Sequence, residues 1–302
     1  MRDGLKGTLA LFVLVMQNTA LVFLMKYSYR AQAAAYSEAS VVVVSEIVKL
    51  AVCSLLVVQV ESGFPRYVEL LREIPQNVIL CIPSALYVLQ NNLLFYAVHA
   101  LTPTVYVVCT QFKIITTAAF SVYLLGTTLK YTQYVALLQL LLGMILVQHK
   151  GYSTETNLQG NDAVGLACVL VASCTSGFAG VFLEKNFKST SISVWQRNIQ
   201  LCCWSLPISS IAAALQAHKS GRPFFAGYDA IVVGVIALQA LGGLVTAAIM
   251  RYSTTILKCF AVSFSTCLCA MISTGIGQDT LTSARVGGII LVNMAIFQFS
   301  KN

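Results

Sequence analysis

The chain has 302 residues, of which 57% are hydrophobic and only 10% are charged, and its net charge is +8. Soluble domains carry roughly 25% charged residues, so this composition predicts an integral membrane protein without a separate soluble domain. The positive charge forms no clustered basic face and no RNA-binding signature accompanies it, which excludes nucleic acid as a partner. The ten cysteines lie inside apolar stretches without a Cys-x-x-Cys pair, which indicates buried free thiols rather than disulfides or a metal site.

Apolar stretches long enough to cross a bilayer recur along the whole chain. A crossing helix needs about 20 apolar residues. Ten spans are predicted, at 8–26, 39–60, 76–97, 103–125, 131–148, 163–184, 195–217, 228–250, 255–275 and 285–299. The first is expected to be a retained helix, because Lys26 and Tyr27 follow it without the small-residue site at which a signal peptide is cleaved.

Two sets of five helices, 1–150 and 151–302, are predicted on either side of the polar stretch 149–162. VFLMK (22–26) ends the first span and VFLEK (181–185) ends the sixth, and each half carries a lysine in its fourth span. Because five is odd, the second half enters the membrane from the opposite face, which is the inverted repeat of many secondary transporters. The excess of lysine and arginine on the N-terminal face favours cytosolic termini.

Three lysines lie within the predicted spans: Lys49, Lys113 and Lys258. A lysine at the centre of a membrane helix costs about 2.5–3.5 kcal/mol on insertion scales. Glu46 lies one helical turn before Lys49, so these two residues form either a structural pair or part of a site. The spans of Lys113 and Lys258 contain no acid, so each lysine either snorkels to the interface or faces a watery cavity that an anion enters.

Polar residues near these lysines favour the cavity. They are Tyr87 and Asn91, one turn apart in the third span, and Tyr106, Thr110, Lys113 and Thr117 on one face of the fourth. Hydroxyl groups in membrane helices also often bond only to backbone, so a structural role stays open for each of them. Two unpaired ammonium groups suit a ligand with at least two negative charges, and tyrosine and amide groups suit a base and a sugar. These residues predict a carrier of a phosphorylated, water-soluble metabolite.

Several motifs resemble those of a known family. They are MQNTALVFLMKYSYR (16–30), SEIVKL (45–50), YVLQNNLLFYAV (87–98), VYVVCTQFKIITTAAFSVYLL (105–125), SGFAGVFLEKNFK (176–188), VWQRNIQL (194–201), FFAGYDA (224–230) and GGLVTAAIMRYSTTILKCFA (242–261). Together they resemble the nucleotide-sugar transporters of the Golgi and ER, in the branch of the UDP-galactose, UDP-N-acetylglucosamine and CMP-sialic acid transporters. The resemblance implies the all-α drug/metabolite transporter fold, with ten transmembrane helices as two inverted five-helix repeats. It also implies antiport of a nucleotide sugar against the matching nucleoside monophosphate.

The resemblance implies a set of substrate-binding residues. Lys113 and Lys258 occupy the places of the family's phosphate-binding lysines. Other ligand-contacting or cavity-lining places of the family correspond to Lys49, Tyr87, Asn91, Tyr106, Ser176, Gly177, Asn198 and Thr246. No cofactor and no metal ion is implied. The implied location is the Golgi membrane, or alternatively the ER membrane, with several passes and cytosolic termini, and homo-oligomer formation stays open.

Departures from the family pattern leave the base and the sugar open. Thr110 stands where the family commonly has tyrosine, Cys202 replaces an aromatic residue, and Thr254 and Thr255 replace an Asp-Asn pair. We expect these changes around the base and sugar, away from the phosphate lysines. UDP-galactose and UDP-N-acetylglucosamine are favoured, and CMP-sialic acid is an alternative substrate.

Other functions remain as alternatives to nucleotide-sugar transport. The chain is either a carrier of another phosphorylated metabolite, such as a sugar phosphate, or a family member that does not transport. A membrane enzyme is disfavoured because such enzymes need acids for metal binding or catalysis, and Glu46 is the only acid well inside a predicted span. A receptor is disfavoured because seven spans would be expected.

Overall fold

The structure is a computed structural model that describes residues 2–31, 36–61, 63–101, 103–148, 162–190, 192–221, 223–277 and 282–301. These residues form helices joined by turns, and no β-strand occurs among them. A π-helix covers Val57–Glu61 and a 3-10 helix covers Ile74–Leu80. The α-helices are α1 (Arg2–Ala31), α2 (Glu38–Leu56), α3 (Gly63–Glu73), α4 (Cys81–Ala100), α5 (Pro103–Thr110), α6 (Lys113–Leu125), α7 (Tyr131–Gln148), α8 (Asp162–Lys188), α9 (Val194–Ser220), α10 (Ala230–Tyr252), α11 (Thr255–Gly275) and α12 (Ser283–Ser300).

Ten helical segments within the described ranges are long and apolar enough to cross a membrane, which confirms the predicted number and the all-α class. They are Gly4–Ser28, Glu38–Glu61, Tyr67–Leu94, Val108–Leu125, Tyr131–Gln148, Ala163–Lys188, Val194–His218, Ala230–Tyr252, Thr255–Gly275 and Ser283–Ser300. The third begins at Tyr67 rather than at 76, because helical structure continues from α3 through the 3-10 segment into α4. The predicted linker 149–162 lies outside the described residues except for Asp162.

Large apolar side chains cover the outside of these helices. On α7, Leu138, Leu142 and Leu146 lie one turn apart and all three are exposed. A continuous apolar stripe is unfavourable in water and suits contact with lipid acyl chains. The protein is therefore a multi-pass membrane protein.

Residues at the helix ends satisfy backbone groups that lipid cannot solvate. At the start of α10, the Asp229 side chain accepts a hydrogen bond from the N–H of Val232 at 2.8 Å. Gly126 directly follows α6 and Gly221 directly follows α9, and both glycines have φ near +64°, a conformation that strains other residues. Capped ends matter here because each unpaired N–H or C=O group is costly in a bilayer.

Two compact units make up the chain, and each draws on both chain halves. The first unit comprises Met1–Val88 and Asn186–Thr254, and the second comprises Leu89–Lys185 and Thr255–Asn302. α4 contributes residues to both. The units are spatial groupings, so the division into repeats at residue 150 stays a prediction.

In the first unit, α10 packs along α1, and α2 packs against both α9 and α10. Apolar clusters occupy these contacts. One consists of Tyr36, Val41, Val232, Val235 and Ile236, and another of Cys53, Val57, Leu70 and Ile199. The side chains of these two clusters hold α2, with its polar residues, against α9 and α10.

In the second unit, α7 and α12 cross at a close distance. A Cβ atom on Gly143 would lie 3.0 Å from the carbonyl oxygen of Gly288, and a Cβ atom on Gly288 would lie 2.8 Å from that of Gly143. These reciprocal contacts join positions 145 residues apart, the same separation as between Lys113 and Lys258. The relation between the two chain halves stays a prediction.

Replacing Gly288 by alanine should destabilise the protein by about 1–3 kcal/mol, the usual cost of overpacking. The new methyl group would lie 2.7 Å from the backbone nitrogen of Val147 and would force α7 away from α12. Gly287→Ala is the matched control, because nothing lies within 4 Å of its Cβ position and alanine favours a helix. Thermal unfolding in detergent measures both variants, and an unchanged midpoint for Gly288→Ala would contradict the close crossing.

Candidate functional site

The predicted fourth span is interrupted directly before Lys113. α5 ends at Thr110 and α6 begins at Lys113, so the span predicted over 103–125 consists of two helical segments joined by a turn rather than of one regular helix. The N–H of Phe112 donates to the carbonyl of Cys109 at 3.1 Å, three residues back instead of four, which tightens the backbone into a 3-10 turn. Lys113 therefore follows directly after this tightened turn, at the first residue of α6.

α8 holds this turn in place. The Ser173 hydroxyl donates to the carbonyl of Cys109 at 3.5 Å, and the Thr116 hydroxyl donates to the carbonyl of Ser173 at 2.9 Å. A Cβ atom on Gly177 would lie 2.6 Å from Thr116 Oγ1, so only glycine lets α8 approach α6 this closely. Gly177 thus serves helix packing in this structure, and the ligand contact implied for it stays a prediction.

The start of α11 places Lys258 in the first helical turn, which begins at Thr255. The Glu184 side chain on α8 is buried, and its Oε2 accepts the N–H of Thr255 at 2.6 Å. The Thr255 hydroxyl donates to the carbonyl of Gly180 at 3.3 Å. We expected Thr255 beside the base and sugar, but the structure buries it and uses both of its polar groups to begin α11.

Lys113 and Lys258 lie on α6 and α11, two helices that contact each other. The charge of Lys113 acts on Lys258, and the charges of both act on Cys259, which also hydrogen-bonds to Thr117. Both lysines are half-buried, and no described residue forms a hydrogen bond or ion pair with either ammonium group. Like charges held together in a poorly solvated place repel each other, so the pair favours an anionic ligand.

Buried apolar neighbours fix the direction in which these two lysine side chains leave their helices. Ile114 follows Lys113, and Ile256 and Phe260 lie two positions before and after Lys258. The three apolar residues belong to one buried cluster that joins α6, α7, α11 and α12. Because burial fixes these neighbours, the direction in which each lysine leaves its helix is set by the core.

Lys49 forms an ion pair in the first unit. Its Nζ lies 2.5 Å from Glu46 Oε1, and the Ser205 hydroxyl of α9 donates to Glu46 Oε2 at 2.7 Å. Cys202, expected beside the base and sugar, is buried and hydrogen-bonds to the same carboxylate. A Cβ atom on Gly243 of α10 would lie 2.7 Å from the Lys49 side chain. The structural alternative for the Glu46–Lys49 pair is therefore present, and substrate contact by Lys49 stays a prediction.

The other predicted ligand residues are distributed over both units. In the first unit, Asn198 is buried, with its side-chain nitrogen donating to the carbonyl of Val194 at 2.9 Å, and Tyr87 and Thr246 are half-buried. In the second unit, Tyr106 and Ser176 are half-buried and Asn91 is exposed. Tyr106 packs against an apolar cluster of Ala97, Leu101 and Val169. Their contact with a ligand stays a prediction.

The structure brings Glu184, which was not among the predicted site residues, to the start of α11. Its signal lies in the repeated pentapeptide, in which Glu184 of VFLEK takes the position of Met25 in VFLMK. A carboxylate in place of an apolar side chain, within an otherwise matching segment, indicates a function in one half only. Its buried contact with Thr255 identifies that function as holding α11.

Comparisons with known proteins agree on one kind of protein. The family model described as Nucleotide-sugar transporter matches residues 4–300. The UDP-N-acetylglucosamine transporter of Mus musculus is 40% identical over 306 residues, which cover 96% of this chain and 94% of that protein. The UDP-galactose translocator of Bos taurus is 35% identical over 295 residues, which cover 93% of this chain and 75% of that protein. One solved crystal structure has a TM-score of 0.73 at 12% identity, covering 97% of this chain and 95% of its own, which shows the common fold.

Proposed function

Because this chain belongs to the nucleotide-sugar transporter family, we propose that it carries a UDP-sugar into the lumen of the Golgi in exchange for UMP. It is a membrane transporter of nucleotide sugars and not an enzyme. The proposed cargo is UDP-N-acetylglucosamine or UDP-galactose, the compounds for which its relatives are named, and CMP-sialic acid is the alternative. The ER is the alternative compartment, and both termini are proposed to be cytosolic.

The observation that carries this proposal is the pair of lysines at the contact of α6 with α11. Lys113 and Lys258 act on each other electrostatically, and neither ammonium is neutralised by a described residue. A phosphomonoester such as UMP carries about −1.5 to −2 charges at neutral pH, and the diphosphate of a UDP-sugar carries two. Either compound therefore matches the two positive charges, which is what an exchanger of one for the other requires.

The same pair gives a physical reason for exchange. In the empty carrier the charge of Lys113 acts on the half-buried Lys258, where repulsion between like charges is stronger than in water. Bound phosphate removes that repulsion and replaces it with attraction. We propose that the loaded carrier changes its accessible side more easily than the empty one, so uptake of one nucleotide is coupled to release of another.

Uptake into proteoliposomes tests the proposal. Vesicles preloaded with UMP should take up labelled UDP-N-acetylglucosamine or UDP-galactose at least about tenfold faster than empty vesicles, equivalent to about 1.4 kcal/mol of barrier. Vesicles preloaded with uridine are the matched control, because uridine keeps the base and ribose but lacks the charge. A panel of labelled UDP-, CMP- and GDP-sugars then identifies the cargo.

Three results would contradict the proposal. Equal uptake by UMP-loaded, uridine-loaded and empty vesicles would contradict exchange. Uptake of a labelled sugar phosphate that excess UMP does not inhibit would favour a sugar-phosphate carrier instead. Uptake of no compound by correctly folded protein would favour a family member that does not transport.

A further inference from the structure

We infer that Glu184 is a positioning residue for phosphate binding, acting through the start of α11 on Lys258; this inference rests on the proposed role of Lys258. Glu184 is on α8 and is 1% exposed. Its Oε2 accepts the backbone N–H of Thr255 at 2.6 Å. Thr255 is the first residue of α11, and Lys258 follows within the same turn.

The contact joins Glu184 to the backbone and therefore to the position of the helix. The first N–H groups of a helix have no partner inside it, and a carboxylate near a helix start is also favoured by the helix dipole. In a membrane protein a free N–H group at this place would be costly, so the bond fixes where α11 begins. If a neighbouring residue took the place of Thr255 in this contact, the register of α11 would shift by one residue and Lys258 would rotate by about 100° around the helix axis, since an α-helix has 3.6 residues per turn.

Further contacts between α8 and the start of α11 restrict where Thr255 can lie. Its hydroxyl donates to the carbonyl of Gly180, one turn before Glu184. A Cβ atom on Gly180 would lie 3.0 Å from the Thr255 methyl carbon, so glycine permits the close approach of the two segments. Thr255 is thus bound by a carboxylate and a carbonyl of the same helix.

The charge distribution of the second unit also distinguishes Glu184. It is the one acid in that unit whose side chain the structure describes, and it accepts a hydrogen bond from a backbone N–H group near Lys258. The first chain half has Met25 at the equivalent place of the pentapeptide, and the 3-10 turn before Lys113 is held by the hydroxyl of Ser173. The two lysines therefore depend on different supports from α8.

The test measures inhibition of UDP-sugar uptake by UMP and by uridine, in proteoliposomes containing the full-length protein. The ratio of the two inhibition constants reports the phosphate-dependent part of binding alone. Variants Glu184→Ala, Glu184→Gln, Lys258→Ala and the double variant Glu184→Ala with Lys258→Ala are compared. Lys185→Ala is the matched control, because Lys185 is the exposed neighbour of Glu184.

We expect Glu184→Ala to reduce the preference for UMP over uridine about tenfold, while inhibition by uridine stays unchanged; tenfold corresponds to about 1.4 kcal/mol. Glu184→Gln keeps an oxygen acceptor for the Thr255 N–H and should retain most of the preference. In the Lys258→Ala background, Glu184→Ala should have no further effect, because it acts through Lys258. If Glu184→Ala does not fold, Glu184→Asp is tested instead. Its side chain is one methylene group shorter, so the preference for UMP over uridine should again fall.

Three outcomes would overturn the inference while leaving the proposed function intact. The first is a normal UMP preference in folded Glu184→Ala protein. The second is an equal loss of UMP and uridine inhibition, which a general loss of structure would produce. The third is a further loss of UMP preference in the double variant. By contrast, a wild-type protein without any UMP preference, or a Lys258→Ala variant that keeps it, would overturn the proposed function itself.

Discussion

Replacing Lys113 or Lys258 by alanine should reduce nucleotide-sugar uptake roughly a hundredfold, because each variant loses charge-assisted contacts to phosphate worth about 3 kcal/mol. Protein stability should stay the same or rise. No described residue pairs with either ammonium, so the truncation leaves no internal partner behind and removes the repulsion between the two lysines. Transport rates in proteoliposomes and unfolding midpoints in detergent measure the two effects separately.

Matched variants separate phosphate binding from anchoring at the membrane interface. Lys113→Arg and Lys258→Arg keep the charge and should keep part of the transport, while Lys185→Ala removes an exposed lysine and should transport normally. Because each lysine supplies one of the two positive charges proposed to bind phosphate, the two alanine variants should be impaired to a similar extent. Near-normal uptake by either alanine variant would contradict the proposed site.

Lys49→Met should have the opposite signature, with a loss of stability of about 3–5 kcal/mol, the usual cost of removing one partner from a buried ion pair. Glu46 would be left with hydrogen bonds from Ser205 and Cys202 but without a neutralising charge. Glu46→Gln should destabilise the protein similarly, because it leaves the Lys49 ammonium group without its ion-pair partner. Unfolding in detergent at several temperatures measures both losses.

The double variant Glu46→Gln with Lys49→Met is the decisive control. It removes both charges together, so it should be more stable than either single variant. Ser205→Ala should cost less, about 1.5–3 kcal/mol, since it removes a single hydrogen bond to a charged group. If each single variant were as stable as the wild type, the Glu46–Lys49 pair would have no structural role.

The membrane helices were predictable because lipid imposes one simple requirement, a long apolar segment with internally satisfied backbone groups. The ten spans follow from that requirement. The interruption before Lys113 was not predictable by the same means. Neither Gln111 nor Phe112 is a helix breaker, and the turn is held by Ser173, which is far away in the sequence.

The candidate site was also predictable only in part from the sequence. Lys113 and Lys258 stand out in the sequence because an uncompensated charge in an apolar segment is costly and needs a reason. The pairing of Lys49 with Glu46 was one of two alternatives, since the spacing alone is compatible with both. The functions of Glu184 and Gly177 depend on which helices touch, and no local pattern in the sequence contains that information.

The most direct test of the central claim is a structure of the protein with bound UMP. We predict phosphate oxygens within about 3 Å of the Nζ atoms of both Lys113 and Lys258, the distance of a charge-assisted hydrogen bond. A phosphate bound by other groups, with both ammonium groups directed into lipid or away from each other, would contradict the claim.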